Sequence, residues 1–199
     1  TSVTGLDIAQ GMLDYAQLCH FNKKLNWQLG DAQNLPNALA DKATRFDLVV
    51  SSLSIQWCND LDAVFAGVAQ CLADGGVFHC ATLGPQTLHQ LKWAWAQVDN
   101  YQHVNNFVPM ETLRNLLEKQ FADVTIECEL VELKYLTVQQ LTRDLKQLGA
   151  SNQNAQAAQG LMGIGRFRKM VEAYEHLRDD EAQLPVTYEI YYIKAKVNQ

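Results

Sequence analysis

The sequence predicts an α/β fold built on a doubly wound, largely parallel sheet, with a helical insertion before the last strand. Three observations support this prediction. Short apolar segments alternate with helical patterns over roughly the first 80 residues, which is the rhythm of strands joined by crossover helices. One of those segments, residues 46–51, is apolar enough to be buried on both faces, as strands of parallel sheets are. The last two expected strands are about 50 residues apart, whereas ordinary connections run to about 4–6 residues.

The first half of the chain supplies four expected strands and two expected helices. Residues 3–7 form a short apolar segment, and Met12, Leu13 and Ala16 then recur at helical spacing. The segment Asp74-Gly75-Gly76 suits a left-handed helix end, because glycine adopts a positive φ without strain. We therefore expect strands at 3–7, 27–30, 47–51 and 77–82, and helices at 11–20 and 61–72.

The second half is mostly helical. Thr137 with Gln140 three residues later forms a capping box, which opens a helix. Alternating apolar residues from Val124 to Leu130 indicate a strand. We expect helices at 85–98, 109–120, 137–148 and 166–178, strands at 124–135 and 186–197, and a polar loop at 149–165. The chain then divides into a core of residues 1–136 and 183–199 and a helical lid of residues 137–182.

Composition excludes several classes of protein. The chain has 199 residues, of which 48% are hydrophobic and 19% charged, and its net charge is −6. It therefore lacks the basic excess of a nucleic-acid-binding protein, and no apolar run approaches the roughly 20 residues of a membrane span. The five cysteines include no CxxC pair, and the five histidines show no metal spacing. We expect a cytoplasmic protein with reduced thiols and no metal, and with neither a nucleic-acid nor a membrane partner.

Positive charge is concentrated in one part of this acidic protein. From Lys134 to Arg178 the sequence has seven Lys and Arg residues against three acidic residues, a local charge of +4. A solvated helix face and a docking patch for an anionic partner explain this concentration equally well. The cations that we assign to the patch are Arg166, Arg168 and Lys169.

Polar residues follow three successive strands of the expected sheet. Asp7 closes the first strand, Asp31 the second, and Ser51 and Ser52 the third. Ligands of open parallel sheets bind beyond the carboxyl ends of the strands. A carboxylate there can accept hydrogen bonds from ribose hydroxyls or from an adenine amine. Each residue alone is better explained as a turn or helix cap, but all of them together favour a nucleoside site.

Several longer segments resemble a known family. Gly5-Leu-Asp-Ile-Ala9, Gly30-Asp-Ala-Gln-Asn-Leu-Pro36 and Phe46-Asp-Leu-Val-Val-Ser-Ser52 are similar to class I S-adenosylmethionine-dependent methyltransferases, whose sheet is Rossmann-like. Four further segments resemble, more specifically, the malonyl-acyl-carrier-protein O-methyltransferases of biotin synthesis. These are Ser52-Leu-Ser-Ile-Gln-Trp-Cys-Asn-Asp-Leu61, His103-Val-Asn-Asn-Phe107, Arg143-Asp-Leu-Lys-Gln-Leu-Gly-Ala150 and Leu184-Pro-Val-Thr-Tyr-Glu-Ile-Tyr-Tyr192.

The resemblance implies S-adenosylmethionine as cofactor and assigns residues to it. Asp7 would bind the ribose, and Met12 would pack near the adenine. Asp31, with the backbone at Ala32, would hold the adenine amine. The backbone at Ser51 and Ser52 would border the methionine portion.

The resemblance also implies the substrate, a malonyl thioester on an acyl carrier protein, whose free carboxylate is methylated. A carboxyl group with a pKa near 4 is already ionised at neutral pH, so no general base is required. Arg143 is equally well explained as a surface residue, His103 as a loop hydrogen bond and Tyr188 as strand packing. The basic patch would recruit the acidic carrier. The candidates to orient the malonyl carboxylate are Gln56, Trp57, His103, Arg143 and Tyr188.

The sequence departs from that family at its start. The family's first strand ends in a glycine-rich loop beside the methionine moiety, and no such loop precedes Thr1. We therefore expect the first strand and its loop to belong to a longer chain or to come from a partner copy, which would make a homodimer. Alternative functions are a methyltransferase of another small acid or a quinone, an assembly factor that modifies a protein arginine, and a non-catalytic binding module. A dehydrogenase fits least well.

Overall fold

The computed structural model describes residues 2–20, 24–147 and 163–197, and the chain divides into two units. Unit 1 comprises Thr1–Thr82, Met110–Glu127 and Tyr191–Gln199, and unit 2 comprises Leu83–Pro109 and Cys128–Ile190. The strands are β1 Val3–Asp7, β2 Leu25–Leu29, β3 Phe46–Ser52, β4 Leu72–Leu83, β5 Asp123–Tyr135 and β6 Leu184–Lys196. The helices are α1 Gln10–Cys19, α2 Leu35–Ala38, α3 Leu61–Cys71, α4 His89–Ala96, α5 Met110–Leu117, α6 Val138–Gln147 and α7 Ile164–Glu175.

The strands confirm the α/β prediction. β1 pairs with β2 in parallel, so that Val3 lies opposite Leu25 and Asp7 opposite Leu29. β3 and β4 are also parallel, within a four-stranded sheet of order β3-β4-β6-β5. Most expected elements lie within three residues of the observed ones. The absent first strand and the division into a core and a lid stay predictions.

The expected glycine-rich helix end at Gly75 is wrong. Helix α3 ends at Cys71, and β4 begins at the next residue. Gly75 has a φ of 71° and lies inside β4, where the β3–β4 register shifts. A β-carbon on Gly76 would come within 3.0 Å of the Phe46 carbonyl oxygen. These glycines therefore serve a bulge in the strand and do not end the helix.

Helix α3 supplies much of the core of unit 1. Its N-cap Asp60 accepts a hydrogen bond from the Ala63 N–H at 2.9 Å, as expected of a carboxylate at a helix start. Phe65 on its buried face lies 6.2 Å from Phe78 of β4, centroid to centroid. The Phe78 ring in turn stacks on Phe121 at 6.1 Å. This aromatic row fixes β4 against the helices of unit 1.

Unit 2 has its own core between helices α4, α6 and α7 and strand β6. The capping box is confirmed in part, because the Gln140 N–H donates to Thr137 Oγ1 at 3.2 Å. The expected helix 85–98 is shorter, because Leu88 adopts a φ of 57° and donates its N–H to the Thr187 carbonyl at 2.7 Å. Of the expected loop 149–165, residues up to 162 lie outside the described residues, and α7 begins at Ile164. Buried residues of this core include Leu91, Trp95, Leu141, Met170, Tyr174, Leu184 and Val186.

Two expected absences concern the described part of the chain. None of the helices traced there combines the length and the apolar character that a membrane span requires. The same ranges contain no group of three or more His, Cys, Asp and Glu side chains that could hold a metal ion.

Candidate functional site

Unit 1 brings two of the predicted carboxylates to one edge of its two-stranded sheet. Asp7 ends β1 opposite Leu29, and Asp31 comes two residues after Leu29. The Gly30 N–H donates to the Asp7 carbonyl at 3.0 Å, which extends the β1–β2 ladder by one bond. Because parallel strands place their carboxyl ends at the same edge, Asp7 and Asp31 meet there as the sequence predicted.

Asp31 is held by a side chain that sequence reasoning missed, Gln33. Asp31 Oδ1 accepts the Gln33 backbone N–H at 2.9 Å, and Gln33 Nε2 donates to both carboxylate oxygens at 3.2–3.3 Å. Gln33 Oε1 accepts the N–H groups of Asn59 and Asp60, each at 2.9 Å. The Ala32–Asn34 turn is therefore tied to the start of α3. A glutamine two residues after a capping Asp was the available sequence signal.

Asp7 is held at only one of its two oxygens. Asp7 Oδ1 accepts the Ala9 N–H at 2.8 Å, whereas Oδ2 has no hydrogen-bond partner among the described residues. Met12 on α1 is 58% exposed, although its neighbour Leu13 is buried. This end of β1 therefore offers a half-buried carboxylate oxygen and an exposed thioether side chain.

The end of β3 is closed by local hydrogen bonds. Leu53 adopts a φ of 49° and donates its N–H to the Ala81 carbonyl at 2.8 Å. Gln56 Nε2 donates to the Leu53 carbonyl at 2.7 Å, and Gln56 Oε1 accepts from Thr82 at 3.4 Å. Trp57 is 39% exposed. Gln56 thus closes the loop after β3, which agrees with a structural role better than with a free substrate ligand.

Two cysteines lie beside these strand ends. Burial raises the pKa of Cys80 to about 12, against a hydrogen bond with Ser51 that lowers it. Burial, followed by the charge of Asp31, raises the pKa of Cys58. Both thiols therefore stay protonated at neutral pH and make no nucleophile there. Ser52, at the end of β3, is exposed.

In unit 2, His103 is clamped between an aromatic ring and a carboxylate. Its ring stacks on Trp95 with centroids 3.7 Å apart and planes 11° apart. His103 Nε2 lies 2.7 Å from Asp99 Oδ1. The Arg166 guanidinium lies 3.5 Å from the other oxygen of Asp99 and 5.7 Å from the Tyr101 ring centroid.

Tyr188, on β6, belongs to a cluster of tyrosines. Burial raises its pKa to about 12, and the charges of Tyr135 and Asp144 add to that effect. Tyr174 Oη donates to the Pro185 carbonyl at 2.9 Å. Tyr188 is half-buried within unit 2. Its packing and a role in substrate binding are both compatible with this position.

Arg143 does not join a buried cluster. Helix α6 buries Val138 and Leu141, whereas Arg143 is exposed. Within the described ranges the structure therefore shows it as a surface residue of an amphipathic helix, the alternative that the sequence left open.

Unit 2 also contains a buried polar network that sequence reasoning missed. Glu189 is 6% exposed, and its Oε2 accepts the Gln86 N–H at 2.7 Å. Gln90 Nε2 donates to Thr187 Oγ1 at 2.6 Å, and the Thr187 N–H donates back to Gln90 Oε1 at 3.0 Å. Burial lowers the pKa of Lys92, while the charge of Glu189 raises it. The segment Thr187-Tyr188-Glu189 was the available signal, because it alternates polar residues within an otherwise apolar strand.

The predicted basic patch is partly neutralised within unit 2. Arg168 Nε pairs with Glu172 at 3.2 Å, and Arg166 pairs with Asp99. Lys134 contacts Asp179 at 2.8 Å. The docking role of Arg166, Arg168 and Lys169 stays a prediction.

Comparison with known proteins adds sequence and fold relatives. The methyltransferase domain family matches residues 1–80. A malonyl-[acyl-carrier protein] O-methyltransferase of Gallionella capsiferriformans is 38% identical, over 96% of this chain and 67% of that protein. The biotin biosynthesis bifunctional protein BioHC of Teredinibacter turnerae is 39% identical, over 96% of this chain. The chain spans about a third of the length of such bifunctional relatives, 34% for this one.

Solved structures share the fold at low sequence identity. The YcgJ protein of Bacillus subtilis superposes with a TM-score of 0.65 at 12% identity, covering all of this chain and 83% of that one. Phosphoethanolamine N-methyltransferase 2 of Haemonchus contortus, solved with S-adenosylhomocysteine, gives a TM-score of 0.55 at 17% identity and covers all of this chain and 44% of that one. These matches confirm the α/β fold.

Proposed function

The chain belongs to the malonyl-[acyl-carrier protein] O-methyltransferase family, and from this premise we propose that it methylates the free carboxylate of a malonyl thioester on an acyl carrier protein. The methyl donor is S-adenosylmethionine, and the methyl ester serves biotin biosynthesis. The observation that carries this proposal is the pair of half-buried carboxylates, Asp7 and Asp31, at one edge of the β1–β2 sheet. We place the reaction in the cytoplasm, where thiols stay reduced, because the five cysteines are free.

The residues of unit 1 fit this cofactor chemically. Asp7 Oδ2, which lacks a hydrogen-bond partner among the described residues, can accept from a ribose hydroxyl. Asp31, fixed by Gln33, could accept from the adenine amine, and the Ala32 backbone would border the ring. Met12 offers an exposed apolar side chain for the adenine face. Ser51 and Ser52, which end β3, would border the methionine portion.

When bound, S-adenosylmethionine supplies a methyl group on a positively charged sulfur, and its transfer to a carboxylate gives a methyl ester and a neutral thioether. The substrate carboxylate is ionised at neutral pH, so the protein need not remove a proton. The protein's task is to align that oxygen and to exclude water. We assign this task to His103 and Tyr188, since Gln56 closes a loop and Arg143 lies on the surface.

The cofactor part of the proposal is tested by calorimetry with S-adenosylhomocysteine. We expect binding by the unmodified protein, and about 10- to 100-fold weaker binding by Asp31→Ala, because a hydrogen bond to a charged group is worth about 1.5–3 kcal/mol. Asp47→Ala is the matched control, since Asp47 is an exposed carboxylate on β3. Equal affinities of the two variants would contradict the role given to Asp31.

The reaction is tested by carboxyl methylation with purified malonyl-carrier protein. We expect a base-labile methyl ester from the malonyl thioester and none from an acetyl thioester, which has no free carboxylate. Binding of S-adenosylhomocysteine without methylation of the malonyl thioester would instead support a non-catalytic binding module of the same fold.

The carrier part of the proposal rests on the exposed cations of α7. Arg168 and Lys169 are exposed, and an acidic carrier protein is attracted to positive charge. We expect the double variant Arg168→Glu/Lys169→Glu to raise KM for malonyl-carrier protein at low salt and to leave KM for malonyl-coenzyme A nearly unchanged. Lys42→Glu/Lys194→Glu reverses two exposed lysines of unit 1 and controls for net charge. Equal changes for both substrates would rule out this docking surface.

A further inference from the structure

The loop after helix α4 fixes one histidine ring in place. The side chain of His103 is only 8% exposed, and its ring lies against Trp95 at a centroid distance of 3.7 Å. His103 Nε2 lies 2.7 Å from Asp99 Oδ1, which also accepts the Tyr101 N–H at 3.0 Å. Stacking fixes the plane of the ring, and the hydrogen bond fixes its rotation within that plane.

Asp99 is an anion held between two positively charged or protonated groups. Burial raises its pKa, but the contacts with His103, Tyr101 and Arg166 together outweigh burial and hold the pKa below its usual value. Asp99 Oδ2 is buried without a hydrogen bond in the described part of the chain, and Arg166 contacts it only as an ion pair at 3.5 Å. His103 and Arg166 are the charged groups that face Asp99 among the described residues.

The ionised state of Asp99 decides which nitrogen of His103 carries a proton. A carboxylate has only acceptor lone pairs, so the 2.7 Å contact requires a proton on Nε2. The other nitrogen, Nδ1, has no hydrogen-bond partner among the described residues. Nδ1 is therefore the nitrogen that is left to contact a ligand.

We propose that Asp99 is a positioning residue, which keeps Nε2 of His103 protonated and presents Nδ1–H to the free carboxylate of the malonyl group. This inference rests on the proposed function. With His103 doubly protonated, the three charged groups Asp99, Arg166 and His103 sum to one positive charge, which matches one substrate carboxylate. A single donor occupies one lone pair of the anion, whereas an Arg fork would occupy both oxygens and hold the attacking oxygen too tightly.

The arrangement also explains why Arg166 is not the substrate ligand. Its guanidinium is already engaged by Asp99 and lies over the Tyr101 ring. Arg166 therefore pairs with Asp99, and a substitution at Asp99 tests what holds the His103 ring.

The first test needs no enzymatic activity. ¹⁵N NMR of histidine-labelled protein reports the protonated ring nitrogen, and His103→Gln assigns the resonance. We expect a proton on Nε2 in the unmodified protein and a population with Nδ1 alone protonated in Asp99→Asn, because an amide can donate to Nε2. A proton on Nδ1 alone in the unmodified protein would overturn the inference.

The second test compares kinetics with malonyl-carrier protein. For Asp99→Asn we expect KM to rise at least tenfold, with the affinity for S-adenosylhomocysteine unchanged. Asp180→Asn, an exposed carboxylate of unit 2, controls for charge.

The outcomes separate this inference from the proposed function. If the unmodified protein methylates a malonyl thioester and Asp99→Asn has the same KM, the inference is wrong and the proposed function stands. If the unmodified protein methylates no malonyl thioester, the proposed function fails and this inference fails with it.

Discussion

Two carboxylates of unit 1 and one carboxylate of unit 2 accept hydrogen bonds that span very different lengths of chain. Asp7 and Asp31 each accept an N–H from the residue two positions later. Glu189 accepts the N–H of Gln86, 103 residues away. Bonds within a turn form as soon as the turn forms, whereas long-range bonds require the whole unit to close. The two carboxylates of unit 1 are thus held within local turns, whereas Glu189 of unit 2 is held by tertiary structure.

Gln33, which fixes Asp31, makes longer-range bonds within unit 1. It joins its turn to the N–H groups of Asn59 and Asp60, 26 and 27 residues away. These bonds are exposed to water. The hydrogen bonds of the two units therefore differ both in chain separation and in burial. Variants can test these two factors separately.

The largest expected effect on stability comes from removing the buried carboxylate of Glu189 in unit 2. Glu189→Ala removes a buried carboxylate and leaves the Gln86 N–H without its acceptor, so we expect the unfolding free energy to fall by about 3 kcal/mol. Urea denaturation at constant m-value measures it. Glu132→Ala removes an exposed carboxylate from β5 and is expected to stay within about 0.5 kcal/mol. If Glu189→Ala matches that control, long-range bonds do not hold unit 2 together.

A smaller effect is expected for the local carboxylate of unit 1. Asp31→Ala removes the cap of the Ala32–Asn34 turn, which costs about 1 kcal/mol, because water replaces a partly exposed bond. The same urea assay measures this loss, with Asp47→Ala as control. A loss of unfolding free energy as large as that of Glu189→Ala would show that a short chain separation does not limit what such a hydrogen bond contributes to stability.

Gln33→Ala tests whether span or burial matters more. Its bonds are long in span and exposed, so we expect a loss below about 1 kcal/mol. Gln33 also bonds to Asp31. The double variant Asp31→Ala/Gln33→Ala should therefore lose about 0.5 kcal/mol less unfolding free energy than the sum of the two single losses. Strict additivity would contradict the coupling between the two side chains.

The smallest effect at neutral pH is expected from the tyrosine cluster. Burial, with the charges of Tyr135 and Asp144, raises the pKa of Tyr188 to about 12, above the unfolded value near 10. A raised pKa gives stability that is complete below pH 10 and lost as pH rises to about 12. Tyr188→Phe should therefore flatten the stability curve between these pH values, and absorbance at 295 nm should lose a late-titrating phenol. An unchanged curve would place Tyr188 outside the buried cluster.

The sequence predicted the elements whose causes are local. The first strand, Val3–Asp7, and the capping box at Thr137 agree with the structure, because apolar spacing and side-chain capping act within a few residues. The start of α4 was misplaced because Leu88 bonds to Thr187, almost 100 residues later. Gly75 was misread because its positive φ serves the pairing of β3 with β4.

The candidate site follows the same rule. Asp7 and Asp31 were found because a carboxylate after a strand is visible in the sequence. Glu189 and Gln90 were missed, since burial of a polar side chain on β6 depends on what α4 presents to it. His103 was found as a residue, but its orientation by Asp99 and Trp95 required the fold.

The stack of Trp95 on His103 gives the protein an intrinsic optical reporter. Trp95 is the most buried of the four tryptophans at 6% exposed, so its emission is expected at the shortest wavelength. A protonated imidazole in van der Waals contact quenches indole fluorescence more strongly than a neutral one does. The blue edge of the emission spectrum should therefore report the contact between Trp95 and the His103 imidazole without any label.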